Sequence, residues 1–86
     1  MKLKNGFVLR EVAGETVVVP VEADLNFNGM ITLNEPAKVL WGVLEKETTA
    51  EELVNAILAE FDVDRATAQD DVDAFIQKLK GLDFLE

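Results

Sequence analysis

Met30-Ile31-Thr32-Leu33-Asn34-Glu35-Pro36-Ala37-Lys38-Val39-Leu40-Trp41-Gly42-Val43-Leu44 is where the chain changes period. Its first four residues form a short uncharged run of the kind that builds a strand. Asn34 then offers a side-chain oxygen to cap a helix, and Pro36 falls in the first turn, where a missing N–H costs nothing. Ala37, Leu40, Trp41 and Leu44 follow at helical spacing and make one apolar stripe. Strand before Asn34 and helix after it is the reading from which the fold follows.

Upstream, Phe7-Val8-Leu9-Arg10-Glu11-Val12 and Thr16-Val17-Val18-Val19-Pro20-Val21 flank the short connection Ala13-Gly14-Glu15, which reads as a hairpin. The stretch Asp24-Leu25-Asn26-Phe27-Asn28-Gly29 is rich in turn residues and leads into the third run. The simplest topology is an antiparallel meander in the order 1-2-3, with Pro20 tolerated near a strand end. Downstream, Thr49-Ala50-Glu51-Glu52 is a capping box opening a second helix with the stripe Leu53, Val54, Ile57, Leu58 and Phe61. Asp64 caps a third helix whose inward residues are Ala68, Val72, Phe75, Ile76, Leu79 and Leu82. No linker, repeat or low-complexity stretch divides the chain. The expectation is a single α+β domain over residues 1–86, winged-helix-like, with a three-stranded antiparallel meander followed by a three-helix bundle.

Composition narrows the function. The chain has 86 residues and no Cys, His, Tyr or Ser. Those absences remove disulfides, thiolate and serine nucleophiles, imidazole bases and Cys/His metal sites. A phosphopantetheine carrier, which needs a serine, is removed as well. Net charge is -9, and it is uneven. Residues 1–44 hold five acids and four bases, whereas residues 45–86 hold twelve acids and four bases. A surface so acidic disfavours phosphate backbones and anionic membranes, so neither nucleic acid nor membrane is an expected partner. No signal peptide or spanning segment is present, and the cytoplasm is the expected compartment. Binding without catalysis is favoured, with no cofactor.

Two acidic patterns need weighing. Asp24-x-Asn26-x-Asn28-Gly29 followed by Glu35 satisfies an EF-hand calcium-loop pattern, and Ile31 holds its apolar eighth position. An EF-hand, however, needs an entering helix, and Thr16–Val21 is β-branched and contains Pro20. Leu25 and Phe27 also stand where such loops are polar, and no second copy exists. A polar turn is the better reading, and no metal is expected. Asp70, Asp71 and Asp73 have no nucleophile or base partner and read as the solvated face of the third helix.

The third strand is more informative than either. Edge strands normally carry charges that discourage pairing, and Met30-Ile31-Thr32-Leu33 carries none. Such an edge accepts an extended peptide by β-augmentation, unless the third helix covers it. It also permits two copies to pair by domain swapping into a homodimer.

Leu33-Asn34 before a helix with Trp41 and Leu44, then Thr49 with Glu52-Leu53, Phe61-Asp62-Val63-Asp64, Asp71-Val72-Asp73-Ala74-Phe75-Ile76, Leu79 and Leu85 form an ordered series. In order and spacing it resembles the PqqD-like proteins, stand-alone recognition elements for ribosomally made, modified peptides, from about Phe7 to the end. The resemblance implies a peptide-binding domain that holds the leader of a precursor peptide and presents it to a modifying enzyme, often a radical SAM maturase. It implies that the leader adds to the third strand, at Met30, Ile31, Thr32 and Leu33, and lies against the third helix. On that helix Asp73, Ile76, Gln77 and Lys80 share one flank and are the candidates, with the opposite flank of Asp71, Lys78 and Leu82 as the alternative. Many members have Gly where this chain has Asp83, a residue that tolerates left-handed geometry better than most. The competing functional reading is a winged-helix DNA-binding regulator, but residues 50–61 contain no Lys or Arg to serve a recognition helix.

Overall fold

Residues 1–20 and 31–86 are described by the computed structural model. Three strands, β1 (Phe7–Val12), β2 (Glu15–Pro20) and β3 (Ile31–Leu33), precede three helices, α1 (Glu35–Leu44), α2 (Ala50–Glu60) and α3 (Arg65–Gly81). The sheet is antiparallel in the order β1-β2-β3, the meander expected from the short connections between the runs. The turn between β1 and β2 is two residues long, because Val12 already pairs with Glu15. Ala13 and Gly14 sit at φ 53° and 83°, the pair of positive values of a type I′ turn, so the loop twists with its strands. Pro20 is the last residue of β2. The calcium-like pattern lies mostly outside the described residues. Its last member, Glu35, is the first residue of α1, where its carboxylate meets the Lys38 ammonium at 2.7 Å.

Each helix begins where a short polar side chain can take an orphan N–H. Asn34 accepts from the Ala37 N–H at 2.9 Å, Thr49 from Glu52 at 3.2 Å, and Asp64 from Thr67 at 2.8 Å. The Asp64 bonds favour its charged form and hold its carboxyl below the usual carboxylate range. The Glu52 carboxylate accepts from the buried Thr48 hydroxyl at 2.6 Å, which ties the α1–α2 connection to the first turn of α2. At the far end of α3 the Phe84 N–H bonds the Leu79 carbonyl at 2.9 Å and the Asp83 N–H bonds that of Lys80 at 3.1 Å. With Asp83 at φ 61° this is a Schellman closure, and Asp fills the left-handed position that glycine most often takes at such helix ends.

The core lies between the inner sheet face and the helices. Val18, Ile31 and Leu33 meet Leu40, Trp41 and Leu44 of α1, Leu53, Val54 and Ile57 of α2, and Val72, Phe75, Ile76 and Leu79 of α3. Burying each of the larger side chains stabilises the fold by about 1.5–3 kcal/mol. Phe7, Trp41 and Phe84 close one end, with Phe7 and Phe84 ring centres 4.3 Å apart. The first residues add a strap that the strand and helix periods do not announce. Leu3 is buried and bridges Leu85, its N–H bonds the Leu44 carbonyl at 2.9 Å, and the Lys4 N–H bonds the Phe84 carbonyl at 2.8 Å. The Met1 ammonium reaches Glu47 at 2.9 Å and the Thr48 carbonyl at 2.7 Å. Residues 1–4 thus tie the α1–α2 connection to the C-terminal residues. No described helix is long and apolar enough to cross a membrane.

Candidate functional site

The hydrogen-bonding direction of β3 follows from the hairpin. A two-residue loop makes its flanking pair, Val12 and Glu15, exchange both backbone bonds. Alternation then turns Glu15, Val17 and Val19 towards β1, and Thr16 and Val18 towards β3. Phe7–Pro20 falls on a non-hydrogen-bonded pair, which suits a residue without an N–H. Because Thr16 pairs with Leu33 and Val18 with Ile31, those two residues of β3 spend their backbone groups on β2. Thr32 between them turns its N–H and C=O outward, to an edge with no neighbouring strand among the described residues.

Side chains follow the pleat. Ile31 and Leu33 are 6% and 4% exposed and point into the core, whereas Thr32 is exposed. The edge at Thr32 opens onto a cleft of about 270 Å³ between β3, the start of α1 and α3. From α1 come Pro36, Ala37 and Leu40, and from α3 Asp71, Ala74, Phe75 and Lys78. The cleft exists because Asn34 alone separates the end of β3 from α1, so the first turn of α1 sits against the strand end. Pro36 and Ala37 are small there, and Ala74 opposite leaves room that a longer side chain would fill. The floor is apolar, and the α3 wall carries one acid and one base. Asp71 and Lys78 are seven residues apart on one face, about 10 Å along the axis, or the length of three extended residues.

The candidate residues are therefore placed unequally. Met30 lies outside the described residues. Thr32 lines the cleft, with Ile31 and Leu33 beneath it. On α3 the cleft wall is the flank of Asp71 and Lys78, and Asp73, Gln77 and Lys80 do not line it. Those three are exposed, the Asp73 carboxylate accepting from the Gln69 amide at 2.9 Å, and Ile76 is in the core. Leu82, half-buried against the core, does not line the cleft either. Sequence reasoning missed Ala74 and the α1 contribution, Pro36, Ala37 and Leu40. Their signal was the single residue between strand and helix, which forces the first helical turn to border the strand edge. Among the described residues no group of three or more acidic side chains is placed to hold a metal ion.

Three strands and three helices, with the edge of β3 facing a helix-walled cleft, make a small α+β scaffold with one strand edge unpaired among the described residues. Residues 15–85 match the family model of coenzyme PQQ synthesis protein D, and the chain belongs to the PqqD family. The solved structure of TbiB1 in complex with the TbiA(beta) leader peptide is 29% identical, superposes with a TM-score of 0.75, and is matched over 100% of this chain and 95% of that one. Lasso peptide synthetase B1 complexed with the leader peptide has the same fold at 18% identity, with a TM-score of 0.69 over 93% of this chain and 89% of that one. A comparison with curated proteins finds no match.

Proposed function

We propose that this chain is a non-catalytic recognition module that binds the leader of a ribosomally made precursor peptide in the cytoplasm and delivers it to a modifying enzyme, a radical SAM maturase. The leader adds as a strand to β3, exchanging backbone hydrogen bonds with Thr32, and its inward side chains enter the cleft beside Ala37, Leu40, Ala74 and Phe75. The observation that carries this reading is the outward N–H and C=O of Thr32 at an uncharged edge, with no neighbouring strand among the described residues, facing a cleft with an apolar floor. Membership of the PqqD family supports it, as does the leader peptide held by TbiB1. On α3 the proposed peptide-facing residues are Asp71, Ala74, Phe75 and Lys78, which line the cleft, rather than the flank of Asp73, Ile76, Gln77 and Lys80. Binding divides into two parts. Backbone bonding gives affinity without regard to sequence, and the cleft selects which side chains alternate inward.

The test is selection from a randomised peptide display library on the immobilised protein. A synthetic winner is then titrated while amide spectra are recorded. Saturable shifts at Thr32, Ala74 and Phe75 support the reading. A library that yields no saturable binder, or winners whose shifts avoid β3, sinks it.

A further inference from the structure

The two ladders of the sheet differ in length. β1 and β2 pair over six residues each, but β3 pairs over three, and its last residue, Leu33, meets Thr16. Glu15 and the Ala13-Gly14 turn therefore run past the end of β3 with no third strand beside them among the described residues, while the chain turns into α1. The notch so formed holds a second depression of about 400 Å³. It is bordered by Gly14 and Glu15 of the hairpin and by Glu35 and Lys38 of α1, and it shares Thr32 and Asn34 with the β3–α3 cleft. The two depressions meet at these shared residues, at the end of β3.

Their chemistry differs. The cleft has an apolar floor with one acid and one base on its wall, whereas the notch has two carboxylates and one ammonium. Lys38 is already held by Glu35 at 2.7 Å, and Glu15 forms no ion pair among the described residues. A strand lying on Thr32 advances about 3.4 Å per residue, so it enters the notch within about two to four residues. We infer that the notch is a second subsite of the same peptide groove, taking a Lys or Arg side chain of the bound peptide against Glu15. This rests on the peptide-binding reading above and adds a charge requirement at a defined offset from the paired strand. A charged residue at a hairpin tip also serves to discourage edge pairing, and the experiment separates that role from recognition.

The library selection is run in parallel on the full chain and on Glu15→Lys. The expected result is an apolar, strand-forming segment in the winners, with Lys or Arg enriched about two to four residues to one side of it. That enrichment is lost on Glu15→Lys. For one synthetic winner, replacing its basic residue by Ala should weaken binding about two- to fivefold, the range for an exposed ion pair, and abolish its amide shifts at Gly14 and Glu15. The peptide-side replacement leaves the protein untouched, so it reports even if Glu15→Lys alters the hairpin. Winners that shift Thr32 and Ala74 but show no basic enrichment, with affinity indifferent to the Ala replacement, overturn this inference and leave the peptide-binding reading standing. A library with no saturable binder overturns both.

Discussion

Replacing Thr32 by Pro strikes the one outward-facing backbone donor of β3 while leaving the sheet's own ladder alone. An added strand would form a hydrogen-bonded pair with Thr32, two bonds, of which proline removes one and places its ring in the path of the incoming carbonyl. The lost bond is worth about 0.5–1.5 kcal/mol, and the stranded peptide carbonyl adds about 1–3 kcal/mol where water cannot reach it. A combined cost of about 1.5–4.5 kcal/mol means binding weaker by at least about tenfold. Stability responds differently, since prolines are accepted on edge strands when the N–H side faces solvent. Thermal unfolding should therefore shift by less than about 1 kcal/mol, or about 4–8 °C for a domain of this size. Ile31→Pro is the control, because its N–H belongs to the bond with Val18 and its side chain to the core. That variant should unfold at a much lower temperature. Calorimetric titration of a selected peptide with Thr32→Pro, alongside melting curves of both variants, is the assay. Unchanged affinity in a folded Thr32→Pro protein would refute strand addition at this edge. A large loss of stability in Thr32→Pro would refute the register argument instead.

Three further outcomes follow from other parts of the fold. Ala74→Arg fills the cleft from an exposed helix position and should weaken peptide binding at least about tenfold, while thermal stability stays within about 0.5 kcal/mol. Ala13→Asn, at φ 53° in the type I′ turn, should raise the melting temperature by several degrees, because Asn adopts left-handed geometry at lower cost than Ala; an unchanged or lower value would contradict the turn assignment. Asp64 has its carboxyl lowered in the folded state, so its contribution is complete above the usual carboxylate range and is lost as pH falls through the folded value. Asp64→Asn keeps the cap but cannot titrate, so melting curves in acid should fall less steeply for that variant than for the parent.

Much of this architecture was legible from local signals. Asn34 with Pro36, Thr49 with Glu52, and Asp64 marked the helix starts, because capping is a contact between near neighbours in sequence. The stripe Ala68, Val72, Phe75, Ile76 and Leu79 identified the buried face of α3 for the same reason. What periodicity could not say was which flank of that stripe meets β3. Asp71 and Lys78 on one side and Asp73, Gln77 and Lys80 on the other are equally polar, and only the folded chain shows which of them line the cleft beside Thr32. The strap of residues 1–4 escaped notice because it bonds to Leu44, Thr48 and Phe84, partners some forty to eighty positions away. Asp83 was readable as tolerant of left-handed backbone, but the Schellman closure around it appears only once Phe84 is seen in the core.

In the proposed complex a peptide lies between the edge of β3 at Thr32 and the Asp71–Lys78 flank of α3. An amide-resolved titration with a selected peptide tests it most directly. Saturable shifts are expected at Thr32, Ala74, Phe75 and Lys78, with Asp73, Gln77 and Lys80 left nearly unmoved. Saturable binding that moves Asp73, Gln77 and Lys80 but leaves Thr32 and Ala74 in place would contradict it.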